Sequence, residues 1–191
     1  MQEGRLQPEP SGTPIPLDPP LDPPLDPQAR KQLADWVAQH WDGVFALLYR
    51  LAANRHEAED LTQETFLRAS QRRDSFNAGT NLRAWLMRIA TNAFLDGRRR
   101  KRTSNVTPLM DDAAEPGHGP TMSLEHKELG KALEVALAEL PETARAVFLL
   151  RTREELSFRE IAQAIGATEE TARWHMLQAR RKLMQSLEIW T

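Results

Sequence analysis

Arg98, Arg99, Arg100, Lys101 and Arg102 are five consecutive basic side chains, a density of positive charge suited to neutralising phosphates. A charge run by itself is as often a solvated face as a binding surface. A second string nearer the C-terminus points the same way. Ser157 with Glu160 three positions on makes a capping box, Ile161, Ala162 and Ile165 give a short helix one buried face, and Gly166 can take positive φ to end it in a tight turn. Thr168 suits the N-cap of the next helix, whose inner face would be Ala172, Met176, Ala179 and Leu183, leaving Glu169, Glu170, Arg173, Trp174, Leu177, Arg180 and Arg181 more exposed. Small residues on the packing face allow close crossing, and such a pair reads as a helix-turn-helix able to enter a major groove. A hairpin that merely packs is the plainer reading of the same residues. Two nucleic-acid-facing surfaces on one small chain carry more weight than either alone.

The chain offers little for catalysis. It has no cysteine, so disulfides, thiolate metal sites and thiol nucleophiles are excluded, which fits a reducing cytoplasm. His56-Glu57 is followed at position 60 by Asp60 rather than a second histidine, and neither a Gly-rich phosphate loop nor a nucleophile elbow occurs. No catalytic residue, metal ligand or cofactor is therefore expected. The net charge of −2 hides a polarity, because residues 28 to 102 carry far more Lys/Arg than Asp/Glu while the first 27 residues are acidic. Any nucleic-acid surface is local. No long apolar run and no basic-then-apolar leader is present, so no membrane insertion is expected and the protein should remain in the cytoplasm.

Around these strings the pattern predicts an all-α chain of two small helical domains joined by a flexible linker, the second holding the helix-turn-helix. Residues 1–27 read ProLeuAspPro three times and should be a semi-stiff acidic arm. Residues 28–102 are helical, with Leu33, Trp36, Val37, Trp41, Val44, Phe45, Leu48 and Leu51 at three-and-four spacing. A second helix, from about Glu57 to Arg72, should carry Leu61, Thr65, Phe66 and Leu67 on or near one buried stripe, with Asp60, Gln63 and Glu64 facing elsewhere. A third carries Leu82, Trp85, Leu86, Ile89 and Ala90 on one face, and Gly97 weakens it before the basic run by up to about 1 kcal/mol. Residues 103–123 lose all periodicity and form an acidic linker spanning on the order of 25 Å. Residues 124–191 return to helix, with Leu124, Leu129, Leu133, Val135, Leu137 and Leu140 before Pro141.

Together, AEDLTQETFLRA at Ala58 to Ala69, LRAWLMRIATNAFLDGRRR at Leu82 to Arg100, and LPETARAVFLLRTREELSFREIAQAIGATEETARWHMLQARRKL at Leu140 to Leu183 resemble the sigma-70 family. The likeness is to its small extracytoplasmic-function type, which carries only regions two and four. It extends over nearly everything from residue 28 to 187 and leaves the proline-rich arm unexplained. It implies a non-enzymatic sigma factor that binds core RNA polymerase, through the beta-prime clamp helices and the beta flap, and directs it to promoter DNA. By the same resemblance Asp60, Gln63 and Glu64 would dock on the clamp helices. Trp85, Arg88 and Asn92 would hold unpaired bases of the minus-ten element, with the Arg98–Arg102 run on adjoining phosphates. An asparagine offers a base edge both donor and acceptor; Trp85, on the apolar face, is equally a core residue. Thr168 and Thr171 would touch phosphates of the minus-thirty-five element, and Glu170, Arg173 and Trp174 its base edges, with Arg180 and Arg181 nearby. Trp174 and His175 depart from the family pattern, so promoter specificity does not carry over. Family members are often held by an anti-sigma factor. The alternative, a stand-alone helix-turn-helix regulator, would need neither the Asp60 face nor the Trp85–Asn92 segment.

Overall fold

Among the described residues there are seven α-helices and one short 3-10 turn, and no strand. The structure is a computed structural model describing residues 26–77, 79, 81–103 and 124–188; of residues 124–129, 131, 187 and 188 only the backbone is described. The ProLeuAspPro arm up to residue 25, the linker from 104 to 123, and the side chains of Leu124 and Leu129 lie outside the described residues.

Helix α1 (Pro27–Ala52) begins where Asp26 accepts a hydrogen bond from the Ala29 amide at 2.8 Å, with Pro27 at the first helical position. A missing N–H is harmless there, so the last two residues of the final ProLeuAspPro repeat start a helix rather than end an arm. Ala53, left-handed at φ 53°, closes α1, and Asn54 caps α2 (Arg55–Gln71) by accepting from Glu57 N at 2.8 Å. The 3-10 turn Arg73–Ser75 leads to α3 (Leu82–Thr103), which runs through the whole basic run and one residue beyond it. After α4 (Leu124–Ala138), Pro141 precedes α5 (Glu142–Thr152), and α6 (Phe158–Ile165) and α7 (Glu169–Glu188) follow.

The first three helices enclose Val44, Leu47, Leu48, Leu51, Leu86 and Phe94, all essentially buried. Trp36, Phe76 and Trp85 meet in an aromatic cluster with centroids 5.2–5.7 Å apart. Thr62 and Thr65 are buried on α2, where their hydroxyls donate to the carbonyls of Ala58 and Leu61 at 2.6 and 2.7 Å. That satisfies both polar groups inside the core. Leu67 departs from the expected buried stripe and is 57% exposed, because one further residue along a helix turns the side chain by about 100°. Val135 on α4 is likewise exposed, whereas Leu137 and Leu140 are buried.

The two helical halves anticipated from the sequence are present, and they are packed on one another. Helix α3 lies against α6 and α5, and α1 touches α5. Arg83 at the start of α3 donates to Glu154 at 2.6 Å, near the other end Arg98 faces Glu142, and Arg102 also bonds Glu142. Among the described residues no helix is long and apolar enough to cross a membrane.

Candidate nucleic-acid interface

Three surfaces collect the residues singled out by sequence. On α2, Asp60 and Gln63 are exposed and Glu64 is half-buried, its carboxylate bonded to Arg68 at 2.5 Å. Leu67 completes the same face at spacings of seven, four and three from these residues. Sequence reasoning missed it. A single exposed leucine is ordinary on a protein surface, and here the apolar neighbour Phe66 had drawn it into the expected buried stripe.

On α3, Trp85, Arg88 and Asn92 follow at intervals of three and four and so share one side of the helix. Trp85 is half-buried in the Trp36–Phe76 cluster, Arg88 is exposed and Asn92 is half-buried. The basic run is not a uniform comb. At about 100° per residue it divides between faces, and Arg98, Lys101 and Arg102 turn toward carboxylates. Arg98 contacts Glu57 at 3.2 Å, lies 5.0 Å from the Phe94 ring centroid, and has its buried Nε 3.5 Å from Glu142 outside hydrogen-bond geometry. Lys101 reaches Glu57 at 3.0 Å and Arg102 bonds Glu142. Arg99 is 70% exposed and pairs with Asp96 at 2.7 Å, and Arg100 is exposed. Beneath them Arg145 is buried, and desolvation, then the positive charge of Arg98, lower its pKa while Glu142 opposes them. The end of α3 is thus an ion network spanning the two halves.

The third surface is the helix pair α6–α7. Its capping box is complete, with the Ser157 amide donating to Glu160 at 2.8 Å and the Glu160 amide to Ser157 Oγ at 3.3 Å. Gly166 sits at φ +65°, the left-handed conformation the turn requires. Thr168 accepts from the Thr171 amide at 3.2 Å, so its hydroxyl caps α7, and the two hydroxyls lie 3.0 Å apart. Ala172, Met176, Ala179 and Leu183 are buried as the spacing predicted. Glu170, Arg173, Trp174, Arg180 and Arg181 are all exposed. Arg173 is nonetheless held, by Glu169 at 3.0 Å and by the ring of Phe158, 4.7 Å from its guanidinium carbon. Trp174 stands 55% exposed, edge-on to His175 at 5.0 Å. Phe158 was also missed by sequence, since the position after a cap belongs to no apolar period.

Comparison with known proteins bears on these surfaces. Residues 36–104 match the family Sigma-70 region 2, and residues 130–183 match Sigma-70, region 4. The chain is 38% identical over 156 residues to the ECF RNA polymerase sigma factor SigE of Mycolicibacterium smegmatis, covering 79% of this chain and 60% of that protein. It is 32% identical over 165 residues to the ECF RNA polymerase sigma factor SigW of Bacillus subtilis, covering 81% of this chain and 88% of that one. Among solved structures, the sigma factor RpoE in complex with the anti-sigma factor NepR from Bartonella quintana is similar. There the TM-score is 0.68 and the identity 26%, over 83% of this chain and 98% of that chain. With both region matches in order and a relative matched over most of its length, this chain belongs to the sigma-70 family of non-enzymatic RNA polymerase sigma factors, and to its extracytoplasmic-function type.

Proposed function

We propose that the protein binds core RNA polymerase, directs it to specific promoters and helps melt the minus-ten element during initiation. One observation carries the reading: a region 2 match with an acidic α2 face and a basic α3 end precedes a region 4 match with a helix-turn-helix on the same chain. Residues 28–102 would serve polymerase and the minus-ten element, and residues 124–191 the minus-thirty-five element. Asp60, Gln63 and Glu64, joined by Leu67, would meet the beta-prime clamp helices, and the second half would meet the beta flap. Trp85, Arg88 and Asn92 would handle unpaired bases; extruding a base costs a few kcal/mol that a fitted pocket must return. Thr168, Glu170, Thr171, Arg173, Trp174, Arg180 and Arg181 would address the upstream element. These partners place the work in the cytoplasm. An anti-sigma factor is a further partner, by analogy with the Bartonella complex.

The test is transcription from fragmented genomic DNA of the source organism by purified core polymerase, with and without this protein. Starts that appear only with the protein and share two spaced elements are expected. No new starts, together with DNA binding that needs no polymerase, would favour a stand-alone regulator.

A further inference from the structure

Two arginines converge on one ring at the base of the helix-turn-helix. Phe158 is the first residue of α6, half-buried and packed against the core. The guanidinium of Arg173 lies 4.7 Å from its centroid and that of Arg151 lies 5.3 Å away. Arg151 is itself anchored, donating to the Leu156 carbonyl at 2.8 Å in the loop between α5 and α6. Arg173 is steadied on its other side by Glu169, one helical turn earlier on α7. The ring therefore joins the end of α5, the start of α6 and the exposed face of α7.

The chemistry of this contact suits a DNA-reading arginine. An unrestrained arginine loses up to about 2 kcal/mol of side-chain entropy when a groove immobilises it. A second carboxylate would restrain it but would occupy further N–H donors and present negative charge to the phosphates. An aromatic ring restrains a guanidinium through its π face and leaves the N–H donors unused. Among the described residues only Glu169 takes one, which leaves Arg173 able to offer the paired donors that a guanine edge accepts.

We infer that Phe158 is a positioning residue for promoter readout, its ring presetting the Arg173 guanidinium without itself touching DNA. The inference rests on the reading of Arg173 as a base-reading residue of the minus-thirty-five element. Its test uses holoenzyme assembled from the full chain and core polymerase, on a promoter fragment mapped by the transcription experiment and on fragments with single base-pair changes in the upstream element. Dissociation constants are compared for wild type, Phe158→Met, Phe158→Trp, Arg173→Ala and the Phe158→Met/Arg173→Ala double variant. Phe158→Met should weaken binding roughly 3- to 10-fold and narrow the preference for the mapped element, as expected for the loss of one partly exposed cation–π contact. Phe158→Trp should retain wild-type affinity, and Phe158→Met should add nothing once Arg173 is alanine.

Equal losses from Phe158→Met with and without Arg173 would overturn the inference, because a general packing role acts independently of that arginine. Loss on Arg173→Ala with none on Phe158→Met would overturn it while leaving the DNA role of Arg173 intact. No loss on Arg173→Ala would instead remove the underlying reading, and the inference with it. Thermal melts identify variants that fail to fold, and Phe158→Leu replaces Phe158→Met should the latter be one of them.

Discussion

Residues of one type do different work in the basic run, and their burial separates them. Arg98 is only 18% exposed and serves Glu57, Glu142 and the Phe94 ring together. Arg98→Ala should therefore destabilise the fold by about 1–3 kcal/mol in urea unfolding, because it removes a largely buried guanidinium that packs on Phe94 and is shared by Glu57 and Glu142, leaving each carboxylate with one remaining cation, Lys101 or Arg102. Arg99 and Arg100 project outward, and replacing both with alanine should leave stability nearly unchanged. If they contact phosphates, the plot of log affinity of the holoenzyme against log salt should flatten by about 2. An unchanged slope would remove them from the DNA interface. Two imidazoles give a pH signature. His40, through burial and the charge of Arg83, and His175, through burial alone, both titrate below the ordinary value of 6.5. The unfolded chain thus takes up protons at a higher pH than the folded one, and the resulting stability is complete above about 6.5 and lost as pH falls toward the depressed values. The urea midpoint should drop between about pH 7.5 and pH 5.5, and His175→Gln should reduce that drop.

Helices here begin and end where local chemistry directs, which is why their bounds were largely legible in advance. Asn54, Ser157 and Thr168 each accept an amide hydrogen bond as N-caps, and Ser157→Ala should cost about 1 kcal/mol of stability. Gly97 lies inside α3, and a Cβ built there meets nothing within 4 Å. Gly97→Ala should then stabilise the protein by about 0.5–1 kcal/mol, visible as a melting temperature raised by a few degrees. Gly166 is the opposite case: space is open, but its φ of +65° strains any other residue, so Gly166→Ala should lower the melting temperature. Periodicity failed at single positions rather than at whole elements. Leu67 and Val135 are apolar and exposed because a three-and-four pattern cannot say which edge of an apolar stripe turns outward.

At the scale of the molecule, the two halves close on each other through charge as well as apolar contact. Glu142 reaches from α5 to Arg98 and Arg102, and Glu154, only 8% exposed at its side chain, receives Arg83. The Glu142→Gln/Glu154→Gln double variant should loosen this packing, and its radius of gyration in small-angle scattering should exceed that of wild type. An identical radius would assign the closure to apolar contact alone. The sequence by itself determined the helical class, the two-part order, the capping box and glycine turn of the helix-turn-helix, and the inner face of α7. All of these are local and follow from helical period and cap chemistry. Only the tertiary structure decided that Arg98 and Arg102 face carboxylates, that Trp85 joins Trp36 and Phe76, and that Phe158 holds Arg173. Most of these pairs lie far apart along the chain, and their meeting depends on how helices cross, which no spacing within one helix records.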